Sequence, residues 1–497
     1  MNVKISFSLN HPTGNFWVDM GLVVLAEHLG EGDHNPDAVL NWLLGRLVKK
    51  TEKKGEYFDP KEKRFREYEK VNWVYPTNLF IKVAGTAPKA KINGKPHFLA
   101  PPTFELKLNL GKRKEPCDLC GDVAPLTDAK MWMYPFVVDP QKFGTFYPST
   151  KRGMKLCSRC ALAGLAGYLG WLWKAQGRDA IHFFVFYSPD LHDLQRLYRE
   201  VIRVFQLEQK GGGTDPVAFF GHYLHETALG LFLELFSHVE KSELLDEEGR
   251  SLLASILGED PLKPPPPLSL YVITGKPGKA FNMQQFQEFS RLHVLYQMYK
   301  RWKGMLTGLA DARKLEDFQP HLTLVQVFRQ FQIRREKQYE TIWRDRISWA
   351  VLEFRDPFPF MESFLFEVRA REKNPKPLDF GTLEIFEDYA REVLDMDGQL
   401  LKTLAGFGHS LGRKAQESGE MGLLYALRNA KNADEFFRVL NDVQFRLELT
   451  VPEDFLSIQP GEKIKGSPWL RVKTLLSIYA MNAYLWANRG QSQGGES

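Results

Sequence analysis

All four cysteines of the chain lie in two Cys-x-x-Cys pairs, a spacing typical of a metal site with sulfur ligands. Cys117 and Cys120 form the first pair and Cys157 and Cys160 the second, and residues 121–156 separate the two pairs. Each Cys-x-x-Cys turn presents two sulfur atoms on one side, and two such turns can complete a tetrahedron of thiolates. The spacing therefore predicts one structural zinc ion, with an iron–sulfur cluster or redox or unrelated cysteine pairs as alternatives.

The residues beside the cysteines favour this interpretation. Gly121 follows Cys120 and can adopt a left-handed turn conformation. Cys157 and Cys160 precede an apolar segment with helical character, and the N-terminus of a helix favours negatively charged thiolates. Four thiolates fill the coordination shell of zinc and leave no position for a catalytic water, so the predicted ion has a structural role.

Basic residues surround both pairs, and aromatic residues lie in the segment between them. The basic residues are Lys112, Arg113, Lys114, Lys151, Arg152, Lys155 and Arg159, and the aromatic residues expected to be exposed include Trp132, Tyr134 and Tyr147. A cationic rim beside aromatic side chains suits nucleic acid, because lysine and arginine bind phosphates and aromatic rings stack on bases. A solvated surface without a ligand is the alternative.

The chain begins with a predicted strand, a turn-rich loop and a helix. Residues 3–9 alternate between apolar and polar side chains, and residues 17–30 have helical spacing. The loop between them carries Asn10 and Asn15, which are candidates for contacts with phosphates or bases at a helix start. Ordinary turn chemistry explains the same residues equally well.

The pattern of apolar residues predicts an α+β fold: a mixed N-terminal region with an inserted four-cysteine zinc module, a mainly α-helical region, and a C-terminal helical bundle. The predicted boundaries are 1–210 for the N-terminal domain, with the zinc module at about 112–165, then 211–375 and 380–490. Local predictions are an exposed helix or mobile arm over 49–70, strands over 79–85, 104–110 and 181–188, one buried helix over 161–173, and helices from 284 onwards.

Composition excludes several classes of protein. The chain has 497 residues, 43% of them hydrophobic, with a formal net charge of +5, as in ordinary globular proteins. Its longest apolar stretch has 13 residues, whereas a membrane span needs roughly 20. The first residues lack the pattern of a signal peptide, so we expect a cytoplasmic protein with reduced thiols and no membrane contact.

No catalytic motif is recognisable in the sequence. His222 and His225 occur in the order His-x-x-His-Glu, which differs from the zinc protease motif, and residues 275–280 lack the spacing of a phosphate-binding loop. We therefore expect no catalytic residues and no enzymatic activity.

With its paired cysteines in the first third of about 500 residues, its opening ISFSLNHPTGNFWVDMGL and its predicted C-terminal helical bundle, the chain resembles the CXXC-CXXC class of type I CRISPR-associated large subunits. These proteins belong to Cascade, the multisubunit surveillance complex guided by crRNA, and the resemblance is greatest to type I-B. Cys117, Cys120, Cys157 and Cys160 match the paired cysteine motif of that class.

The resemblance implies a non-catalytic subunit that recognises the protospacer-adjacent motif in double-stranded DNA and helps to open the duplex. Its partners would be the crRNA, the target DNA, the backbone, crRNA-end and small subunits of Cascade, and a helicase-nuclease that it helps to recruit. The C-terminal bundle resembles the small subunit, and Met361 is a possible internal start for a separate product of 137 residues, 361–497.

Three basic residues in the helical region, Arg334, Arg335 and Arg344, are further candidates for contacts with a phosphate backbone. Two other functional classes stay open at this point. One is a metal-dependent nuclease or RNA-processing enzyme with an unrecognised site, and the other is a scaffold that binds proteins only.

Overall fold

The computed structural model of the chain describes residues 4–81, 85–103, 106–136, 153–176, 179–210, 223–241, 256–258, 267–278, 281–313, 323–335, 338–456 and 458–493. They form two compact units, the first comprising Met1–Pro216 with His238–His293 and the second Val217–Ser237 with Val294–Ser497. The first is mixed and contains the four-cysteine cluster, and the C-terminal part of the chain is helical. The predicted fold class is therefore confirmed.

The part of the chain up to residue 289 combines strands and helices. In order, its elements are β1 (Ile5–Phe7), α1 (Phe16–Leu29), β2 (Gly32–His34), α2 (Pro36–Leu47), β3 (Val48–Asp59), β4 (Arg64–Trp73), β5 (Lys89–Ile92), β6 (Lys95–Phe98), β7 (Lys114–Pro116), β8 (Val123–Asp128), β9 (Lys155–Cys157), α3 (Ser158–Ala166), β10 (Leu172–Gln176), β11 (Ala180–Tyr187), α4 (Leu191–Leu197), α5 (Arg203–Lys210), α6 (Leu224–Lys241), β12 (Ser269–Lys276) and β13 (Asn282–Phe289).

The described residues after 289 are mainly helical and include two short hairpins. Its elements are α7 (Leu292–Arg313), α8 (Leu324–Arg329), β14 (Ile333–Arg335), β15 (Gln338–Glu340), α9 (Ile342–Leu352), α10 (Phe358–Arg371), α11 (Phe380–Glu392), α12 (Gly398–Glu417), α13 (Met421–Asn429), α14 (Ala433–Leu447), β16 (Lys463–Ile464), β17 (Ser467–Pro468) and α15 (Trp469–Gln493). Met361 is buried within α10.

The core of the first unit lies between α1 and an antiparallel sheet with strand order β10-β11-β12-β13. Helix α1 is buried on every side from Trp17 to Ala26, which explains its apolar composition. The Trp17 ring meets the rings of Tyr168 and Trp171 edge-on, with centroids 5.0 and 5.3 Å away. Trp171 in turn stacks on Phe183 of β11 at 4.4 Å, so aromatic packing joins the helix to the sheet.

Glycine allows α1 and α3 to approach closely. A Cβ atom on Gly21 of α1 would lie only 1.7 Å from the carbonyl oxygen of Ala163 in α3. The indole nitrogen of Trp17 donates a hydrogen bond to the carbonyl of Gly164, at 2.7 Å. Any side chain at Gly21 would therefore have to push the two helix backbones apart.

We expect Gly21→Ala to lower the free energy of unfolding by about 1–3 kcal/mol, because the atom in the way belongs to backbone and cannot rotate aside. The control is Gly45→Ala in α2, where an added Cβ would meet nothing within 4 Å. That exchange should raise stability by about 0.5–1 kcal/mol, since alanine loses less conformational entropy in a helix. Denaturant titration measures both, and equal stability of the two variants would contradict the close-approach interpretation.

Several local predictions are confirmed, and others are wrong. Strand β11, Ala180–Tyr187, agrees with the strand predicted over 181–188 to within one residue at each end. The charged run over 49–70 is a long antiparallel hairpin, β3 and β4, and not a helix or an arm. Pairing with β12 makes 282–289 a strand, so the predicted helix begins only at Leu292. Both segments are strands because they pair with a neighbouring strand, and the spacing of apolar residues within a segment does not reveal such pairing.

Two further differences have local causes. The buried helix predicted over 161–173 ends at Ala166, and Leu172 begins strand β10 after Gly167 and Gly170. Strands were also predicted over 79–85 and 104–110, but the described residues of these two segments belong to no strand. Leu79 instead ends a short 3-10 helix. The predicted domain boundary at 210/211 lies next to residues outside the described ranges.

Candidate metal centre and basic face

The sulfur atoms of Cys117, Cys120, Cys157 and Cys160 lie within 4.8 Å of one another. The Sγ atoms of Cys120 and Cys157 are 3.8 Å apart. In a regular tetrahedron with zinc–sulfur bonds of about 2.3 Å, neighbouring sulfurs would be about 3.8 Å apart. The two pairs therefore come together as predicted, and the cluster can hold one metal ion.

The first pair is held by a tight turn after β7. The amide of Cys117 donates to the carbonyl of Asp122 at 3.0 Å, and the amide of Gly121 donates back to the carbonyl of Cys117 at 2.9 Å. Gly121 has a φ of 77°, in the left-handed region that glycine adopts without strain. The turn thus depends on the glycine that follows the second cysteine.

The second pair is held by the junction between β9 and α3. Cys157 ends the strand and caps the helix, its sulfur accepting a hydrogen bond from the amide of Cys160 at 3.4 Å. The amide of Cys157 donates to the sulfur of Cys117, 3.3 Å away, so a backbone dipole joins the two pairs. The N-terminus of α3 adds a partial positive charge, which stabilises thiolates.

Two hydrogen bonds between Asp118 and Lys155 join the two turns. The amide of Asp118 donates to the carbonyl of Lys155 at 3.0 Å, and the amide of Lys155 donates to the Asp118 carboxylate at 2.7 Å. Strand β8 pairs with both β7 and β9, opposing Leu126 to Cys157. The sulfur cluster is therefore positioned by a small three-stranded sheet.

The crowding of the sulfurs limits their ionisation. Hydrogen bonds from the thiols of Cys157 and Cys160 hold the pKa of Cys117 well below its usual value. The hydrogen bond to Cys117 raises the pKa of Cys157 to about 12, and the pKa of Cys160 is raised by its contacts with the other three thiols. Four neighbouring thiolates would repel one another, and a metal ion placed among them would compensate their charge.

The loop that carries Asn10 and Asn15 is ordered by a buried carboxylate. Both the amide and the hydroxyl of Thr13 donate to Asp19 at 2.7 Å, and the amide of Gly14 donates to the same carboxylate at 3.0 Å. Asp19 is fully buried, and burial raises its pKa despite these hydrogen bonds. These hydrogen bonds to Asp19 were not predicted, although an aspartate within an apolar helix is a recognisable sign of a buried polar contact.

The loop also contacts the cysteine module. Arg159 of α3 donates to the carbonyl of His11 and lies 3.4 Å from the Asp122 carboxylate. The Asn15 side chain caps α1 and donates to the hydroxyl of Tyr134 at 2.8 Å, whereas exposed Asn10 lies 3.2 Å from a ring nitrogen of His192. The loop that carries Asn10 and Asn15 and the cysteine module, both predicted from the sequence as candidate nucleic-acid contacts, are therefore neighbours.

The predicted basic rim is partly described. Lys112, Arg113 and Lys114 are exposed and have no carboxylate partner in the described ranges, and Lys155 is half-buried. Lys151, Arg152 and Tyr147 lie outside the described residues. The prediction that Trp132 and Tyr134 are exposed is wrong, because both are buried against the module.

The three arginines of the helical region differ in their surroundings. Arg334 and Arg335 lie exposed on the hairpin strand β14, where Arg335 forms an ion pair with Glu340 at 2.6 Å. Arg344 is buried, and its Nε donates to the Glu226 carboxylate at 2.5 Å. Glu226 also accepts a hydrogen bond from the hydroxyl of Thr341, at 2.9 Å. Arg344 thus has an internal partner.

Positive charge is concentrated in a part of the chain that extends well beyond the charged run over 49–70. Residues 48–116 hold 17 lysines and arginines against 8 acidic residues, a net charge of +9, so the rest of a chain with +5 is −4. This segment forms the β3–β4 hairpin and the β5–β6 hairpin and leads into the first cysteine pair. The rings of Phe65 and His97 meet at 4.9 Å, which joins the two hairpins. We call this region the basic face.

Many charges on the β3–β4 hairpin are paired, with Lys50 2.5 Å from Glu69 and Lys54 2.6 Å from Glu67. Such exposed pairs contribute little stability, about 0–1 kcal/mol each. The β5–β6 hairpin differs, because residues 85–103 carry Lys89, Lys91 and Lys95 and no acidic residue. The net excess of cations therefore lies toward the second hairpin and residues 107–114.

No described helix is long and apolar enough to cross a membrane. Neither a protein-family model nor a curated protein sequence matches this chain.

Proposed function

We propose that the ion held by the four cysteines is zinc and that its role is structural. The 3.8 Å separation of two sulfur atoms fits a single tetrahedral ion. An iron–sulfur cluster contains several iron atoms, so its cysteine sulfurs must lie farther apart than those around a single ion. Here all four sulfur atoms lie within 4.8 Å of one another. Four sulfur ligands also leave no open position for a water, so zinc would stabilise the module without taking part in a reaction.

We further propose that the chain is a non-catalytic nucleic-acid-binding subunit. The observation that carries this proposal is the net charge of +9 on residues 48–116, against −4 on the remainder. Exposed lysines on the two hairpins offer a sequence-independent surface for phosphates, and their attraction for nucleic acid is electrostatic. The zinc centre would hold the end of this surface in place, since β7 leads directly from Lys112, Arg113 and Lys114 into Cys117.

In its specific form the proposal is a large subunit of a type I CRISPR surveillance complex. This form rests on the resemblance in the paired cysteines, the chain length and the helical C-terminal part. Such a subunit would bind double-stranded DNA at the protospacer-adjacent motif beside the crRNA, in contact with the other Cascade subunits, and would help to recruit the helicase-nuclease. It would act in the cytoplasm. A modest total charge suits a subunit whose complex supplies further cationic surface.

Substituting alanine for Lys112, Arg113 and Lys114 together should weaken duplex DNA binding at least about tenfold at 0.1 M salt. Each lost phosphate contact should also lower the slope of log affinity against log salt by about 0.9. Fluorescence anisotropy with a labelled duplex at several salt concentrations measures both quantities, on the protein alone and on the complex assembled with crRNA and the other subunits.

The matched control removes three exposed lysines from the helical part of the chain, Lys402, Lys431 and Lys463. It changes the net charge equally, so only a localised basic face would distinguish the two triple variants. Equal loss of affinity in both would contradict the proposed face, as would unchanged binding by the first variant. Hydrolysis of DNA or RNA by the purified protein with Mg²⁺ or Mn²⁺ would instead favour an enzyme, and binding to proteins alone would favour a scaffold.

A further inference from the structure

A cavity of about 630 Å³ opens at the foot of the β3–β4 hairpin. It lies between the end of α2, the segment that follows β4, the segment before β10 and the start of α5. Small-molecule sites typically have volumes of about 300–1,000 Å³. The cavity is therefore large enough for a ligand of nucleotide size, and it adjoins the basic face.

Aromatic side chains form both the floor and the mouth of this cavity. Tyr168 and Trp171 line the floor and are almost completely buried. Tyr75 and Trp173 lie at the mouth with ring centroids 5.1 Å apart in an edge-to-face arrangement, and 43% of the surface of Tyr75 is exposed. An exposed ring at the entrance of a cavity offers a face on which a planar ligand can stack.

Every charged side chain among the described lining residues is cationic. Arg46, Lys49 and Arg203 contribute to the wall, and none of the described residues that line it carries a carboxylate. Arg46 is held over the ring of Trp42 at 4.0 Å, and Arg203 is held by Glu27 at 3.1 Å. Lys49 is exposed and forms no ion pair with another described residue. Two oriented guanidinium groups and a lysine are suited to bind a phosphate group.

Uncharged polar groups complete the wall. The Gln206 amide donates to the carbonyls of Leu169 and Trp171 at 2.6 and 2.9 Å, which fixes the segment that carries the floor. The Tyr198 hydroxyl lies 3.4 Å from His28 Nε2, and burial raises the pKa of Tyr198 to about 12, so this phenol stays protonated. Thr77 also lines the cavity, and its buried hydroxyl has no hydrogen-bond partner in the described ranges.

We propose that this cavity binds one nucleotide, with the base stacked at Tyr75 and Trp173 and the phosphate held by Arg46, Lys49 and Arg203. Aromatic faces beside three cationic side chains match the two chemical halves of that ligand. The nucleotide can be free or can be an unstacked unit of a single strand. Only the second source rests on the function proposed above, because a free nucleotide needs no basic face.

The test uses the full-length protein and three fluorescent probes. These are 2-aminopurine riboside 5′-monophosphate, the same nucleoside without phosphate, and a single-stranded oligonucleotide that carries one 2-aminopurine. Stacking on an aromatic ring quenches the probe, so titration gives an affinity. We expect the monophosphate to bind at least tenfold more tightly than the nucleoside, and tighter binding of the oligonucleotide than of the monophosphate would identify a strand as the source.

Two substitutions separate the halves of the ligand. Tyr75→Ala should weaken binding of the monophosphate about tenfold, in the range of base–aromatic stacking, with Tyr75→Phe restoring it. Lys49→Ala should weaken the monophosphate but leave the nucleoside unchanged. The controls remove an exposed tyrosine and an exposed lysine outside the cavity and the basic face, Tyr339→Ala and Lys402→Ala, and should leave both affinities unchanged.

The outcomes separate this inference from the proposed function. Absence of quenching with all three probes, or equal quenching by the wild type and by Tyr75→Ala, would overturn the nucleotide site even if duplex binding persists. Quenching by the monophosphate that depends on Tyr75 and Lys49 would support the site even if the alanine variants of residues 112–114 bind duplex DNA normally. In that case the proposal of a nucleic-acid-binding basic face would be rejected, and the proposal of a nucleotide site in the cavity would stand.

Discussion

Serine in place of Cys160 is expected to abolish metal binding and to lower the free energy of unfolding by at least about 4 kcal/mol, since loss of a structural metal is among the most destabilising changes. Cys160 is completely buried, and its sulfur contacts those of the other three cysteines. A serine hydroxyl is a poor ligand for zinc and would leave three sulfurs crowded without a cation. Metal content by elemental analysis and thermal unfolding measure the two effects.

The wild type should contain one zinc ion per chain, and a strong chelator should reproduce the loss of stability. The control within the same small sheet is Val123→Ser, because Val123 is exposed and its side chain lies outside the sulfur cluster. Retention of a full equivalent of metal by Cys160→Ser would contradict the four-ligand site. An unchanged melting temperature would contradict its structural role, and iron in place of zinc would correct the identity of the ion.

Arg344→Ala is expected to lower the free energy of unfolding by about 3–5 kcal/mol, because removal of one partner of a buried ion pair leaves the other charge uncompensated. The partner is Glu226, which is fully buried and accepts hydrogen bonds from Arg344 and Thr341. The lost hydrogen bond adds to the cost of desolvating the carboxylate. Denaturant titration of the full chain gives the value.

Arg334 provides a matched control, because it is exposed and its side chain has no carboxylate partner among the described residues. Arg334→Ala should change the free energy of unfolding by no more than about 0.5 kcal/mol, as for ordinary surface positions. The double exchange Arg344→Met with Glu226→Leu should recover most of the stability, since replacing both charges removes the unpaired one. A stable Arg344→Ala protein that binds DNA weakly would instead indicate that Arg344 contacts phosphate.

The four-cysteine cluster shows how much of a site local sequence can specify. Two Cys-x-x-Cys turns and Gly121 identify the candidate metal ligands, because each turn orders its own pair through neighbouring backbone groups. The approach of the pairs across residues 121–156 is a tertiary event. It depends on the pairing of β8 with β7 and β9 and on the hydrogen bonds between Asp118 and Lys155.

The basic face and the cavity illustrate the opposite case. A run of charges over 49–70 has no strong local preference, and only the pairing of β3 with β4 makes it a hairpin. The cavity collects Tyr75, Trp173 and Arg203 from distant parts of the chain, and no spacing in the sequence connects them. The sequence also does not show whether an aromatic residue is buried or exposed. Trp132 is buried although basic residues flank its segment in the sequence.

The two Cys-x-x-Cys turns, the start of α1 and the apolar strand β11 could be predicted because each depends mainly on residues close together in the chain. The tertiary structure alone decided which charges are internal and which are exposed. Arg344 and Arg334 look alike in the sequence, yet one is buried with Glu226 and the other is exposed. The physical reason is that a charge enters the interior only where a partner from a distant segment offsets its desolvation.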